Sequence, residues 1–552
     1  MSRPSSGRAA PRAVIGWPEW LLFIVVLPAA AWLRFAHLQA RGLLLFDEGV
    51  YVSGGQFACD AWQAWLHHGW GALQAYLRDP GRWMGMPSPF AKPLHDVTLA
   101  LAMLVGGSSP LSALCAMAGL SLLTVAVVFA IGRRCFDAWT GLIAASLLAV
   151  SGYQLAYARS ALAEASAMWW CVCAVWWLAP TMAGASARPP SRRRLVAAGA
   201  CAGLAFLCNY RLWMVPLGLL LMDRLQKPHA PRAARGDRWR RAAWLLAGGV
   251  LPLLLWIAAE TWCLRGAAPA LVPYARQLVQ RYGKHLGDGY DAGGVWAYAV
   301  TLRFFDGAVC TALYGAGVAW ALIGRHRLAR ALALTSLLVI GFFSVFRTHH
   351  ARYISVALPL MVLCAAWLLA VAVRGVALVL RVGASSSAVL AALSLAILLW
   401  RAPAAAAWTR LTTGYVDALE TMRQLSGEPV PAFVSTQPFV FSALAGQRAR
   451  PLPRTDAAWR EAARAGVRFL VVDYQLEFGG VSGGGYEMAR TLVARRRPVA
   501  IVLNPGGASP QVEFEHVSDL ALTRRRLRNP ALRGFMGTIA IYDVRSLAEV
   551  GG

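Results

Sequence analysis

A succession of apolar runs, each close to the length that crosses a bilayer, constrains this chain more than any other feature. A helix rises about 1.5 Å per residue, so a hydrocarbon core of about 30 Å takes about 20 apolar residues. Such runs occupy 17–37, 111–131, 139–157, 165–181, 242–262, 296–322, 331–347, 354–373 and 382–400. The stretch 195–223 is apolar on both sides of Asn209-Tyr210-Arg211 and reads as two short tilted helices meeting at that polar point. These make about 11 spans. The first run has no signal-peptide cleavage pattern and is followed by further spans, so it is expected to be retained. The fold class that follows is a polytopic α-helical membrane protein.

Charge orients the bundle. The 552 residues include 54 basic and 27 acidic ones, and a formal charge of +27 first suggests a nucleic-acid partner. Its distribution argues otherwise. Basic residues collect in cytoplasmic loops. The clusters Arg3/Arg8/Arg12, Arg133-Arg134, Arg188 with Arg192–Arg194, Arg224 to Arg241, Arg325/Arg327/Arg330 and Arg374/Arg381 all fall inside if the N-terminus is inside and 92–107 does not span. That segment has only about 12 consecutive apolar or small residues after Asp96 and reads as a helix on the outer interface. Most of the charge is therefore orientation signal, and no nucleic-acid partner is expected.

An odd number of spans puts the C-terminus outside. Residues 401–552 change character: β-rich runs at 432–436, 468–473, 498–504 and 537–544 alternate with helical patterns at 411–425 and 455–465. This predicts a separate, soluble α/β domain after a membrane domain of 1–400. The glycine run at 479–485 lacks the strand–loop–helix setting of a phosphate cradle and reads as a loop. The ten cysteines end at Cys364 and show neither metal-ligand spacing nor a disulfide framework.

Four polar groups converge on the outer side of an otherwise apolar bundle, where ionisable residues mark candidate sites. Asp47-Glu48 follows the first span; Asp47 suits a general base toward a hydroxyl or amine, against a solvated loop acid or helix cap. Lys92-Pro93-Leu94-His95 opens the interfacial segment and suits a lipid phosphate, against a snorkelling lysine. Arg159 and Glu164 lie in an outer turn and either pair with each other or serve an acceptor. The loop 347–353 holds Arg347, His349, His350, Arg352 and Tyr353 with no acid, a set suited to an anion; Arg211 faces the same side. No carboxylate or cysteine completes a metal site around the histidine pair.

At these residues the sequence resembles the bacterial GT-C membrane glycosyltransferases. LLFDEGVY after the first span, AKPLH, ARSALAEA and HHARYISVALP look like the motifs of the protein O-mannosyltransferase and lipid A aminoarabinose transferase families, in order, over roughly 40–400. The resemblance implies a polyprenyl-phosphate-linked sugar as donor, hexosyl or pentosyl. It implies transfer of one sugar, with inversion, to a hydroxyl on a lipid, glycan or protein at the periplasmic face of the inner membrane. Asp47 matches the catalytic acid of the first outer loop, with Glu48 and Glu164 beside it. Lys92, His95, Arg159, Arg211, His349, His350, Arg352 and Tyr353 would serve the lipid phosphate. The scheme requires no metal or other cofactor. Lys92-Pro93-Leu94-His95 departs from the commoner Lys-Pro-Pro-Leu, and Glu164 stands where Asp is usual. A Trp-Trp-Asp motif, carried by related oligosaccharyltransferases, is missing from 401–552. Two other classes compete: a flippase for a lipid-linked sugar, and a non-enzymatic membrane protein with a ligand-binding outer domain.

Overall fold

The computed structural model describes residues 16–79, 92–182, 190–225, 234–265, 267, 271–287, 294, 296–345, 350–380, 386–429, 431–445, 449–474, 476, 487–509, 511–512 and 537–545. Among them, seven helices are long and apolar enough to cross a membrane: Trp17–Arg41, Pro110–Cys135, Gly236–Cys263, Ala297–Ile323, Arg327–Ser344, Leu358–Val379 and the apolar part of Ser386–Ser426. Ala138–Ala149 and Gly152–Ala158, bent by 64°, make an eighth if they act as one span. The protein is a multi-pass membrane protein. The count falls below the 11 expected because Glu164–Leu178, Arg192–Cys208 and Met214–Arg224 have only 15, 17 and 11 residues. At about 1.5 Å per residue none reaches across about 30 Å upright. Helix Pro93–Gly106, with 14 residues, is also too short.

Buried polar side chains hold the breaks. The bend at 149–152 frees helix-terminal carbonyls, which need partners. Arg34, fully buried on the first span, donates to the carbonyls of Leu148 and Ala149 and to Ser121. On the other side of the break, Ser151 caps Gly152–Ala158 by accepting from Gln154 N–H. Asp306 accepts from the Ser151 hydroxyl and the Tyr153 N–H. An acid inside an apolar span is thus matched to an interrupted helix, and the next residues, 159–164, are aimed by it.

The C-terminal region forms a five-stranded sheet in the order β2-β1-β3-β5-β4. The strands are β1 (Phe433–Ser435), β2 (Arg450–Pro451), β3 (Phe469–Val472), β4 (Ala500–Leu503) and β5 (Thr538–Asp543). β1 pairs parallel with β2 and β3, and β5 pairs antiparallel with β3 and β4. Four of the strands stand where the alternating pattern puts them; β2 has two residues and no pattern to read. The 479–485 loop lies outside the described residues.

One face of this sheet joins the membrane core. Phe433, Phe469, Val471, Ile539 and Ile541 belong to the same buried cluster as Leu43, Leu44 and Leu45. Polar contacts cross the same seam: Tyr474 Oη donates to Leu44 O at 2.8 Å, Gln56 Nε2 to Ala443 O at 3.1 Å and Thr413 Oγ1 to Arg41 O at 2.9 Å. The helix Ser386–Ala407 runs through position 401 without a break. Domain and bundle therefore share a core, rather than meeting only at a linker.

Gly49 marks the tightest approach. A Cβ there would overlap the backbone of Phe439 and Val440 on helix Pro438–Ala445. Backbone cannot rotate aside as a side chain can, so Gly49→Ala is expected to destabilise the protein by about 1–3 kcal/mol, the usual cost of overpacking. Thermal unfolding in detergent checks this; an unchanged midpoint would exclude the close packing.

Candidate active site

The site begins where the chain leaves the first span. His37 and Gly42 have positive φ, 53° and 57°, and turn the chain through Leu38–Arg41 into the helix Phe46–Arg78. Arg41 closes this turn. Its two terminal nitrogens donate to the two Glu48 carboxylate oxygens at 2.7 and 2.8 Å, and Ala161 N–H donates to the same carboxylate at 3.2 Å. Both ionic side chains are buried. Neighbours on a helix point about 100° apart. With Glu48 committed to Arg41, Asp47 faces another way, toward Arg352, whose Nη1 lies 2.6 Å from Asp47 Oδ2.

Lys92 approaches Asp47 from a second element. It precedes helix Pro93–Gly106, is 1% exposed, and has its Nζ 4.4 Å from the centroid of the Tyr51 ring. Tyr51 stands one helical turn after Asp47, on the same side. The Lys92 Nζ is buried and has no hydrogen-bond partner among the described residues. An unpaired buried ammonium is costly, and burial pushes its pKa down to about 8, against an opposing pull from Glu164. His95 fixes this segment: its ring nitrogens meet Ser166 Oγ at 3.1 Å and Ala161 O at 3.0 Å, and its ring is edge-on to Tyr51. Burial pushes the His95 imidazole down to about 3, with the nearby Lys92 charge adding to the effect, so the ring is neutral at pH 7.

The remaining cations come from two turns. Asn209 interrupts the apolar stretch and accepts from Arg211 N–H through Oδ1; its Nδ2 donates to Glu164 Oε1 at 3.3 Å. Arg211 then lies over the Tyr353 ring, 4.6 Å from its centroid. Arg352 and Tyr353 share the turn Ala351–Ile354, and His350 is edge-on to Tyr353. Desolvation raises the Asp47 carboxyl, but the charges of Arg352, Lys92 and Arg211 outweigh it and hold the group below the usual carboxylate range.

Asp47, Lys92, Arg211, Arg352, Tyr353 and His350 are therefore brought into one neighbourhood, with Glu164 linked to it through Asn209. Three expected site residues have partners elsewhere. Glu48 belongs to the Arg41 pair. Arg159 donates to the carbonyls of Leu33, Arg34 and Thr409, rather than pairing with Glu164. His95 has both ring nitrogens occupied, so it braces the Lys92 segment rather than facing an anion. His349 lies outside the described residues. Four nearby residues were not singled out from sequence: Tyr51, Asp96, Tyr210 and Arg281. The first two follow Asp47 and Lys92 by four residues, a spacing that places them on the same helical faces. Arg281, on helix Tyr274–Gly287, lies 5.6 Å from the Tyr210 ring centroid, and only the folded chain brings it there. No group of three His, Cys, Asp or Glu side chains at metal-binding spacing occurs among the described residues.

The fold, an apolar helical bundle sharing a core with a C-terminal α/β region, is also seen in solved structures of low sequence identity. The profile of the dolichyl-phosphate-mannose-protein mannosyltransferase family matches residues 88–258. The chain is similar in structure to ArnT from Cupriavidus metallidurans in the apo state, at 15% identity and TM-score 0.55, over 87% of this chain and 96% of that one. The same protein bound to undecaprenyl phosphate gives 15% identity and TM-score 0.57, over 83% and 94%. The Archaeoglobus fulgidus oligosaccharyltransferase in its apo form gives 14% and TM-score 0.52, over 84% of this chain and 70% of that one. Among curated proteins, no sequence matches the chain significantly.

The Arg41–Glu48 pair is a test of what holds the site. Removing one member of a buried pair leaves an uncompensated charge, at a cost of about 3–5 kcal/mol. Arg41→Met is thus expected to lower the thermal midpoint strongly, and adding Glu48→Leu to recover much of the loss. Unfolding of the single and double variants in detergent measures both; equal midpoints for Arg41→Met and wild type would show that the pair does not hold the turn.

Proposed function

We propose that the protein is a membrane glycosyltransferase that moves a single sugar from a polyprenyl-phosphate donor to a hydroxyl-bearing acceptor. The observation that carries this reading is the buried Lys92 ammonium, unpartnered, beside a carboxylate that is already engaged by Arg352. The fold similarity supports it. One similar structure is of a protein bound to undecaprenyl phosphate, and another pairs an oligosaccharyltransferase with an inhibitory peptide and a dolichol-phosphate.

The chemistry follows from charge. A sugar linked to a lipid phosphate is a phosphodiester with one negative charge; when the sugar leaves, the phosphate gains a second. Cations preorganised at that oxygen stabilise the transition state more than the ground state. Lys92, Arg211 and Arg352 fill this role, with His350 and Tyr353 as additional donors. Asp47 takes the proton of the acceptor hydroxyl, whose oxygen attacks the anomeric carbon from the side opposite the phosphate, giving inversion. Before the donor arrives, Arg352 neutralises Asp47. A bound phosphate draws on the same guanidinium, which weakens its hold on Asp47 and raises the basicity of the carboxylate where the acceptor is used. Glu164 is tied to this neighbourhood through Asn209. The scheme routes no step through a metal.

In a cell, this reading puts the site and the C-terminal domain on the periplasmic side of a bacterial inner membrane, with the N-terminus in the cytoplasm. The sugar is a hexose or a pentose, and the acceptor a lipid, glycan or protein.

Asp47→Asn is expected to bind the donor but to transfer sugar at least about 100-fold more slowly, the low end of general-base effects. Purified protein, a radiolabelled polyprenyl-phosphate sugar and a candidate acceptor measure it. Undiminished transfer by Asp47→Asn removes the base assignment. Lys92→Ala and Arg352→Ala are expected to weaken donor binding about tenfold or more, since hydrogen bonds to charged groups are worth about 1.5–3 kcal/mol.

Lys92 also sets a pH dependence. Its ammonium is charged below about 8 and loses its proton above. Above pH 7 a lipid phosphate is already fully ionised, its second pKa being about 6. Affinity for polyprenyl phosphate should therefore fall as pH rises through about 8, and Lys92→Arg should flatten that fall because arginine stays charged. Binding titrations from pH 7 to 10 read it; an identical profile in Lys92→Arg would exclude Lys92 as the group responsible.

A further inference from the structure

Lys92 is not the only buried group near the site that lacks a partner. Asp96 is 5% exposed and Glu164 is fully buried, yet Asp96 Oδ1 and Glu164 Oε2 make no hydrogen bond among the described residues. Leaving a buried polar atom unpaired is unfavourable by about 1–3 kcal/mol, and by more when it is charged. Three such atoms in one place point to something that arrives to meet them.

Their placement is fixed by well-made contacts. Asp96 follows Lys92 by four residues, and its N–H donates to Lys92 O at 3.0 Å, so the two side chains leave the same helical face. Gly54 faces Asp96: a Cβ there would lie 3.1 Å from the carboxyl carbon and from Oδ1, so the missing side chain leaves the carboxyl its room. Glu164 is reached through His95, whose ring joins the start of this helix to Ala161 and Ser166 on either side of Glu164. Asn209 holds the other Glu164 oxygen. Burial pushes the Asp96 carboxyl well above the usual carboxylate range, against the opposing pull of the Lys92 and Arg281 charges.

We propose that Asp96 and the open oxygen of Glu164 form a sugar subsite beside the phosphate cations, taking hydroxyl groups of the donor's sugar ring. This rests on the glycosyl-donor reading above and adds to it the residues that recognise the sugar. Carboxyl oxygens repel phosphate but accept from sugar hydroxyls, and a ring attached to a phosphate at Lys92 has its hydroxyls within a few ångströms of that cation. Arrival of the hydroxyls satisfies groups that the protein leaves unsatisfied. A site built around buried polar groups also rejects a ligand that lacks the matching hydroxyl, because the mismatch leaves them unpaired.

The test uses the full-length protein in lipid nanodiscs and two kinds of probe: bare undecaprenyl phosphate, and undecaprenyl phosphate carrying each of a panel of hexoses and pentoses. Wild type is expected to bind its best sugar-bearing lipid more tightly than the bare one. Asp96→Ala should lose about tenfold or more on that sugar-bearing lipid, while its affinity for the bare lipid changes less than about threefold. Asp96→Asn, which keeps the shape, should lose part of the same preference. An undiminished preference for the sugar-bearing lipid in both variants, or an equal loss on both lipids, overturns the subsite. Failure of wild type to bind either lipid overturns the donor reading and the subsite with it, and is distinguished by being seen before any substitution.

Discussion

The buried pair of Arg41 and Glu48 is the interaction on which the rest of the site depends. It stands where the first span ends and the next helix begins, and the full bidentate contact at 2.7 and 2.8 Å fixes the angle between them. The same carboxylate accepts from Ala161 N–H, which ties the 159–164 turn to this corner. His95 grips that turn from the other side and so brings in Lys92. Asp47, one residue before Glu48, inherits its position from all of this. Two adjacent acids thus divide the work: one holds the frame, and the other faces the cations.

The bilayer explains why so much of the frame is polar. Apolar side chains gain little by packing against each other when lipid is as apolar as they are, so breaks and turns are fixed by hydrogen bonds instead. Arg34 on the carbonyls of Leu148 and Ala149 and Asp306 on Ser151 serve this purpose, as does Arg159 on the carbonyls of Leu33 and Arg34. The terminal nitrogens of both arginines and both oxygens of Asp306 are satisfied. Lys92 Nζ, Asp96 Oδ1 and Glu164 Oε2 are not. The contrast separates residues that build the protein from those that wait for a ligand. The C-terminal domain belongs to the first kind. Its sheet shares a core with the Leu43–Leu45 turn, and its helix Pro438–Ala445 abuts Gly49, so it backs the helix that presents Asp47.

The sequence by itself determined the class of fold, since runs of about 20 apolar residues admit few structures other than membrane helices. It also located four of the five C-terminal strands, whose β-rich runs are local, and it singled out Asp47, Lys92, Arg211 and Arg352 as candidates, because cations and acids at the ends of apolar runs stand out. At 165–181 and 195–223 the composition is apolar, but the helices have 11 to 17 residues, fewer than an upright span takes. Only the tertiary structure decided which charges are spent on the frame. Glu48, His95 and Arg159 look as functional in sequence as their neighbours, and their partners lie 7 to 250 residues away. Arg281 looked like nothing in particular until the fold set it beside Tyr210, and Asp96, although four residues from Lys92, showed its want of a partner among the described residues only in the folded chain. Chemistry type is a property of a residue and its near neighbours, whereas satisfaction of a buried polar group depends on what the whole chain brings to it.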